Sequence, residues 1–551
     1  MFIRSKKRGD RVYLQVVENY RDNGTPRQRV LWTIGRLDVL QRKGQLDALL
    51  SSGMRFSEKL AVVTACRKDR DRTKSQTIKI GPALIMEKLW KDLGIGEVLE
   101  SAVIGRRYEF SIERAVFLTV LHRLFVSGSD RAAEKWKHGY RINGAEDLEL
   151  HHLYRAMAWL GEELPADEQQ DATPFSPRCT KDTIEERLFG RRKDLFSELD
   201  LVFFDTTSIY FEGEGGETIG QHGKSKDHRP DLKQMVVGVV LDNAGNPICS
   251  ELWPGNTTDV QTLVPVVDRL KKRFRIGNVC IVADRGMISN NAVGTIESEQ
   301  YGWKYILGAR MRRVNEVKND VLGRPGRYQE VYPERIHAKD PSPLKVKEVE
   351  LEGRRYVVCL NEEEARKDRA DREAIIASLE EKLKQGDKSL VGNKGYRRYL
   401  KTGAHFEIDR GKVKEDARYD GKWVLRTNTD LGAEQVALKY KQLWMVELIF
   451  RSMKSLLETG PIWHKCDETI RGHVFCSFLA LILRKELQDR LEAKGWGDVE
   501  WADIIHDVGD LHEIETVFSG KRFVLREECR GATGKALQAA GVILPPTLRE
   551  A

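Results

Sequence analysis

Residues 199–211 read LDLVFFDTTSIYF, a run of β-branched and aromatic residues that ends at the glycine-rich turn Gly213-Glu-Gly-Gly. This composition predicts a central strand with Asp205 inside it. Residues 234–241 and 247–253 have the same character and predict two more strands, joined by a turn at Asp242-Asn-Ala-Gly. A helix capped by Thr257 or Thr258 is expected to follow and to run to about Phe274.

The apolar run Val279-Cys-Ile-Val-Ala predicts a buried strand that ends at Asp284-Arg-Gly. A second helix and a strand at residues 304–308 complete the order β-β-β-α-β-α-β, which indicates a mixed sheet with helices on its faces. Asp205 lies within the first strand and Asp284 at the carboxyl end of the fourth. If these strands are neighbours, the two carboxylates converge, as a metal site requires.

The rest of the chain changes character several times. Alternating residues and an Asp-Asn-Gly turn predict a hairpin over residues 11–37, and helical spacing prevails from about 80 to 198. A charged helix is expected near residues 362–384, and a strand at 423–427 returns the chain to the sheet. The predicted parts are a basic β element (1–75), a helical domain (76–198), an α/β domain (199–310 and 426–485), a β-rich insertion (311–425) and a C-terminal helical region (486–551).

Charge is concentrated at one end of the chain. Ten Lys or Arg stand against four acids in residues 1–42, whereas the net charge of all 551 residues is +8. A basic segment attracts polyanions, of which nucleic acid is the commonest. No apolar run is long enough to span a bilayer and no secretory signal opens the chain, so we expect a cytoplasmic protein without membrane segments.

Eight scattered cysteines without a Cys-x-x-Cys pair indicate reduced thiols. A zinc site is conceivable from His464, Cys466, His473 and Cys476, which lie close together in the sequence. Their spacing matches no tetrahedral finger pattern, so a structural role is the favoured interpretation.

Residues 434–457 predict one helix with a wide apolar surface. Tyr440, Glu447 and Lys454 stand seven residues apart in it and therefore share one helix face. Polar groups on a buried helix cost desolvation unless they meet partners, which favours a functional site. The alternative, an exposed edge without a role, is about as well supported by the spacing alone.

At this register the sequence resembles the DDE transposases of bacterial insertion sequences, in the group with a Tyr-x2-Arg-x3-Glu-x6-Lys signature. Tyr440, Glu447 and Lys454 match that signature, whereas Leu443 stands where the family has Arg, and Arg451 or Lys441 is a candidate substitute. The likeness spans roughly residues 199–485. It also covers the motifs DTTS (205–208), SKDHRPDL (225–232), LWPGNTTD (252–259), ADRG (283–286) and IRGHVF (470–475).

The resemblance implies an RNase H-like catalytic domain with a β-strand insertion, preceded by elements that bind DNA ends. Asp205 would bridge two Mg²⁺ or Mn²⁺ ions, with Asp284 on one ion and Glu447 on the other, to cut and rejoin DNA. Tyr440, Lys454 and Arg451 would hold phosphates. The implied partners are double-stranded DNA bearing terminal inverted repeats, target DNA and a second copy of the chain in a synaptic complex.

Two further candidates have a structural alternative. Related enzymes hold a flipped base against an aromatic residue, for which Trp253, Trp303 and Trp423 are candidates, although a core position is favoured for each. His473 could lie near the metals, but a histidine satisfied in the core is favoured. Two rival functions remain open, namely an RNase H-like nuclease and a non-catalytic DNA-binding derivative of a transposase, toward which Leu443 points.

Overall fold

The computed structural model describes residues 2–22, 25–42, 45, 76–170, 172, 176–192, 201–274, 279–298, 302–332, 344–384, 396–402, 406–518 and 521–550. The chain divides into two compact units, one made of Met1–Gly81, Gly139–Arg141 and Trp501–Ala551, the other of Pro82–His138 and Ile142–Glu500. Within the described ranges, no helix combines the length and apolarity that crossing a bilayer demands.

The first unit contains a three-stranded antiparallel sheet of Phe2–Arg8, Arg11–Asp22 and Thr25–Arg36, followed by the short helix Leu37–Arg42. The hairpin predicted for residues 11–37 is therefore confirmed, with one more strand in front of it. Most basic side chains that the structure describes in this sheet are exposed. Their positive charge consequently stays at the surface.

A second sheet in the same unit corrects the expectation of an all-helical C-terminus. Its strands are, in order, Leu548–Glu550, Lys521–Arg526, His512–Phe518 and Gln76–Lys79, and the helices Trp501–Gly509 and Thr533–Ala540 accompany it. The runs EIETVF and RFVLR are rich in β-branched and aromatic residues, which fit a pleated, half-buried surface. Glu513 is fully buried here and bonds to Arg141 and Arg549.

Residues 81–192 fold into helices, as their spacing predicts. They are Gly81–Asp92, Ile95–Val103, Ile112–Phe125, Asp130–Trp136, Leu150–Leu160 and Thr180–Arg192. The helix Ile112–Phe125 is buried almost throughout, and it packs on Leu150–Leu160 and on the long helix Asp467–Ala493. Because nearly all of its residues are buried, including several polar ones, this helix belongs to the core of the helical part.

The second unit is built on a nine-stranded mixed sheet. Its strands are, in order, Gln329–Val331, Leu344–Leu351, Arg354–Leu360, Lys422–Thr427, Lys304–Gly308, Cys280–Ala283, Leu201–Tyr210, Gln234–Leu241 and Pro247–Pro254. Leu201–Tyr210, Cys280–Ala283 and Lys304–Gly308 run parallel to one another. All other neighbours in the sheet are antiparallel.

The five strands between Leu201 and Gly308 confirm the predicted α/β fold. Numbered along the chain they lie in the order 3-2-1-4-5, with the second antiparallel to the first, which is the RNase H-like arrangement. The helices Asp259–Phe274 and Asn290–Glu297 supply the two crossovers, and apolar residues of both pack with Phe204 and Trp253 in one buried cluster. This core fixes the two neighbouring strands that position Asp205 and Asp284.

The region predicted as a β-rich insertion extends the same sheet, because three of its strands continue outward from Lys422–Thr427. The charged helix is found at Glu362–Lys384, as predicted, and among its described residues only Arg372 and Leu379 are buried. The other elements of this region are the π-helix Glu316–Val321, the 3₁₀ turn Tyr396–Tyr399, the strands Leu400–Thr402 and Phe406–Ile408 and the helix Arg410–Ala417.

The single helix predicted for residues 434–457 is wrong. The chain forms Ala433–Lys441, then Trp444–Arg451, and then a π-helix at Ser452–Leu456. At the first break the backbone N–H groups of Leu443, Met445 and Val446 bond three residues back instead of four, so the turn tightens. The π-helix then widens it. The seven-residue spacing of Tyr440, Glu447 and Lys454 therefore does not place them on one regular helix face.

Candidate functional site

Asp205 and Asp284 lie on neighbouring parallel strands. Phe204 pairs with Ala283 in the register of these strands, so each acid is the next residue after a paired position. Asp284 lies close enough for its charge to raise the pKa of Asp205. The convergence that the sequence predicts is therefore present.

The Asp205 carboxyl is in an environment that disfavours its charge. Burial raises its pKa to about 7, with the charges of Asp284 and Asp259 adding to this, while Lys226 and the backbone N–H of Thr206 act in the opposite direction. The Thr206 N–H donates to Asp205 Oδ1 at 2.7 Å. A half-buried carboxylate surrounded by other acids is the kind of group that a divalent cation stabilises.

Replacing Asp205 with Asn is expected to stabilise the metal-free protein at pH 8. Because the folded-state pKa of Asp205 is raised to about 7, its stabilising contribution is complete only below the unfolded pKa of about 4 and is lost as pH rises to about 7. The gain in Tm should thus narrow steadily from pH 8 to pH 4. Thermal melts across this range test it, with Asp371→Asn, the same change on an exposed helix, as control. A variant less stable than wild type at pH 8 would contradict the expectation.

A third acid that the sequence did not single out stands beside this pair. Asp259 begins the helix Asp259–Phe274, and its Oδ1 accepts a hydrogen bond from Thr206 Oγ1 at 2.8 Å. Lys226 Nζ lies 3.2 Å from the same oxygen and donates to the Thr206 carbonyl at 2.7 Å. Both residues belong to motifs that support the family resemblance, but only the loops of the fold bring them to Asp205.

Tyr440 reaches the second acid directly. Its hydroxyl donates to Asp284 Oδ1 at 2.9 Å, and burial, then the Asp284 charge, raises the pKa of the phenol above its ordinary value. The sequence assigned Tyr440 to DNA phosphates. In the structure its hydroxyl proton is engaged by Asp284 instead.

Glu447 is not brought together with Asp205 and Asp284. It is exposed on Trp444–Arg451, a helix that packs against the Asp205 strand, and it makes no hydrogen bond or ion pair with any described residue. Within the described segments, these three acids do not bring their oxygen atoms within 4.8 Å of one another. The structure therefore places Asp205 and Asp284 on neighbouring strands and leaves Glu447 on an adjacent helix.

The other residues of the signature have different surroundings. Lys454, in the π-helix, pairs with Asp227 at 2.5 Å, and Arg451 is exposed. Leu443 is buried, with 7% of its surface exposed, at the break between the two helices. The position that carries Arg in the family is thus an apolar core position here.

The tryptophan candidates lie mainly in the core. Trp253 is buried and contacts Phe204 edge to face, with ring centroids 6.4 Å apart, and Trp303 is fully buried. Trp423 is half-buried beside Lys441. Among the described residues, the well-exposed tryptophans are Trp32, Trp444 and Trp463. Trp253 therefore presents no face to a DNA base in this structure.

His473 belongs to a buried hydrogen-bond network in the helical part. Its Nδ1 lies 2.8 Å from an Arg123 nitrogen and its Nε2 lies 3.0 Å from the Thr459 carbonyl. Burial, and then Arg123, holds the pKa of His473 well below its ordinary value. Both ring nitrogens are therefore engaged within the protein.

Ligand atoms of Asp130, His464 and His473 lie within 4.8 Å of one another, close enough in principle for a metal ion. The Arg123 guanidinium, however, lies 4.0 Å from Asp130 and already balances its charge. A divalent ion would have to displace this buried cation, so the group fits a structural network better than a metal. The zinc alternative gains no support, because Cys466 is exposed and neither cysteine joins the histidines among the described residues.

The donor chemistry at Asp205 and Asp284 does fit a hard divalent cation. Carboxylate oxygens are the ligands that Mg²⁺ and Mn²⁺ prefer. The raised pKa of Asp205 shows that the protein alone leaves its negative charge poorly compensated. Lys226 supplies part of that compensation, and Asp259 adds a further carboxylate beside Thr206 and Lys226.

Comparisons with known proteins show which family the chain resembles. The family model described as the transposase DDE domain matches residues 197–483, and the model of the IS1634 family transposase N-terminal domain matches residues 3–67. A search of curated proteins gives no match. A solved piggyBac transposase synaptic complex with hairpin DNA is similar at 11% identity and a TM-score of 0.36, over 78% of this chain and 79% of that one.

Proposed function

Because this chain belongs to the DDE transposases of insertion sequences, we propose that Asp205 and Asp284 hold two Mg²⁺ or Mn²⁺ ions, with Glu447 as the third ligand. The family cleaves DNA and transfers its strands, and it generally depends on divalent metal. The observation that carries the proposal is the pair of carboxylates on adjacent parallel strands, one of them with its pKa raised to about 7.

Metal ions bound at these carboxylates supply an activated nucleophile, water or a DNA 3′-hydroxyl, and stabilise the leaving oxygen. The chain's own residues place and balance that charge. Lys226 neutralises part of the acid cluster beside Thr206 and Asp259. Glu447 is exposed on a helix that packs against the Asp205 strand. Its freedom from other partners among the described residues leaves it available for this role.

Lys454 and Arg451 are proposed to bind DNA phosphates next to the cut. Lys454 is held by Asp227 at 2.5 Å and remains about one-third exposed, so that a phosphate can replace the carboxylate partner. Arg451 is exposed one turn earlier. Both cations lie on the helical segment that follows Glu447, which keeps phosphate binding close to the proposed metal site.

We propose that the basic N-terminal element, residues 1–75, binds DNA and that the helical domain, residues 76–198, binds DNA ends. Its exposed cations support this role. We further propose terminal inverted repeats and target DNA as the substrates, a homodimer as the acting form, and the cytoplasm as the location. Synapsis of two ends requires two sites, which a dimer provides.

A strand-transfer assay tests the proposed function. The purified chain, incubated with Mg²⁺, pre-cut ends from the DNA that flanks its gene and a plasmid target, should join those ends to the plasmid through the DNA 3′-hydroxyl. Omitting the metal and using ends of scrambled sequence are the controls. Hydrolysis of the ends without joining would contradict transposition and would indicate a nuclease of the same fold.

A further inference from the structure

Three contacts converge on the loop that carries Asp284. On one side the Tyr440 hydroxyl donates to Asp284 Oδ1 at 2.9 Å. On the other, Arg310 donates from Nε to the Arg285 carbonyl at 3.0 Å and from a terminal nitrogen to the Gly286 carbonyl at 2.7 Å. The carboxylate and the two peptide groups after it are thus all held by side chains from outside the loop.

Gly308 leaves the space that the Tyr440 hydroxyl occupies. It ends the strand next to that of Asp284, and a Cβ atom built on it would overlap the Tyr440 hydroxyl and lie 2.9 Å from the backbone nitrogen of Arg285. Any side chain at this position therefore pushes Tyr440 away from Asp284. The sequence Gly308-Ala-Arg310 accordingly supplies both the space for the phenol and the arginine that fixes the loop.

We infer that Tyr440, Gly308 and Arg310 form a clamp that sets the orientation of the Asp284 carboxylate for divalent metal binding. Tyr440 and Arg310 are positioning residues, because they act through Asp284 and its loop. The inference rests on the proposed function, in which Asp284 is a metal ligand. Hydrogen bonds that orient a ligating carboxylate typically change metal affinity 10- to 100-fold when they are lost.

The test measures Mn²⁺ binding to the full-length protein by calorimetry without DNA. We expect Tyr440→Phe and Arg310→Met each to weaken Mn²⁺ binding about 10-fold, and Gly308→Ala to reproduce the effect of Tyr440→Phe. In the Tyr440→Phe background, Gly308→Ala should cost less than in the wild-type background, because the hydroxyl that it displaces is already gone. DNA affinity should stay within about twofold of wild type, since the phenol is engaged by Asp284.

Matched controls come from residues 311–425, away from the Asp284 loop. Tyr356→Phe removes a tyrosine–carboxylate hydrogen bond of the same 2.9 Å length, to Glu316, and Arg324→Met removes an arginine that donates to the Glu350 carbonyl at 2.9 Å. Neither should change Mn²⁺ affinity. Unchanged Mn²⁺ affinity in Tyr440→Phe and Arg310→Met, or weaker DNA binding with intact Mn²⁺ binding in Tyr440→Phe, would overturn the clamp.

The variant Asp284→Ala distinguishes failure of the clamp from failure of the proposed metal site. If Asp284→Ala lowers Mn²⁺ affinity and the clamp variants do not, the clamp is wrong and the metal site stands. If Asp284→Ala itself leaves Mn²⁺ affinity unchanged, the proposed metal site fails at that ligand. A loss of Mn²⁺ affinity in Asp284→Ala that is at least as large as the loss in the clamp variants supports both.

Discussion

Glu447→Gln is expected to lower the rate of metal-dependent strand transfer by about 10³-fold or more, as are Asp205→Asn and Asp284→Asn. An amide keeps the shape of the carboxylate but lacks the charge that a divalent ion needs, and about 4 kcal/mol of lost transition-state stabilisation corresponds to this factor. Glu447 is the sharpest test because it is exposed and has no partner among the described residues. Its replacement should therefore leave the fold intact and affect only the chemistry.

The measurement is the initial rate of strand transfer with pre-cut ends at saturating Mg²⁺, alongside a thermal melt of each variant. Glu434→Gln, the same change at an exposed position of the preceding helix, is the control and should keep the wild-type rate. Asp259→Asn belongs in the same series. A Glu447→Gln variant within about tenfold of wild type, combined with an inactive Asp259→Asn, would transfer the role of third ligand to Asp259.

The fold could be predicted from the sequence where local pattern determines it. The buried runs and turns between residues 199 and 310 predict the RNase H-like strand series, and the charged composition of residues 362–384 marks an exposed helix. Both are found. The C-terminal strands were missed because short runs such as RFVLR are ambiguous between helix and strand until their partners are known.

The site residues also fall into two groups, those that local sequence pattern predicts and those that only tertiary contacts bring to the site. The approach of Asp205 and Asp284 could be expected because the strand that contains Asp205 and the strand that ends before Asp284 are both visible in the sequence. Lys226 and Asp259 were not predicted as site residues. The loops of the fold bring them close to Asp205, and their spacing in the sequence does not predict this proximity. The break near Leu443 leaves the apolar pattern intact while its hydrogen bonds tighten the turn. Tyr440, Glu447 and Lys454 therefore do not share one helix face. Tyr440 bonds to Asp284, Lys454 pairs with Asp227, and Glu447 is exposed.

Arg273→Met is expected to destabilise the protein by about 3–5 kcal/mol, the usual cost of leaving buried charges without their partner. Arg273 lies on the helix Asp259–Phe274 and bonds to Glu185 at 2.9 Å and to Glu186 at 2.8 Å, and it lies 3.3 Å from both Asp182 and Glu251. Its side chain is 1% exposed. Through these acids it joins the helix Thr180–Arg192 to the edge strand of the sheet.

Methionine keeps the apolar stem but leaves three buried acids, Asp182, Glu185 and Glu251, facing only the cations of Lys181 and Arg269. Burial already raises the pKa of Glu185, and losing the Arg273 charge, which lowers it, raises it further. Glu185 then takes up a proton on folding, so the destabilisation should shrink as pH falls toward 5. Urea midpoints at pH 5 and pH 8 measure this change in the free energy of unfolding.

The control is Lys272→Met, at the position just before Arg273. It removes a more exposed ion pair, with Asp268, and should change stability by less than about 1 kcal/mol. A pH-independent loss for Arg273→Met would mean that packing, and not uncompensated charge, is what the arginine supplies.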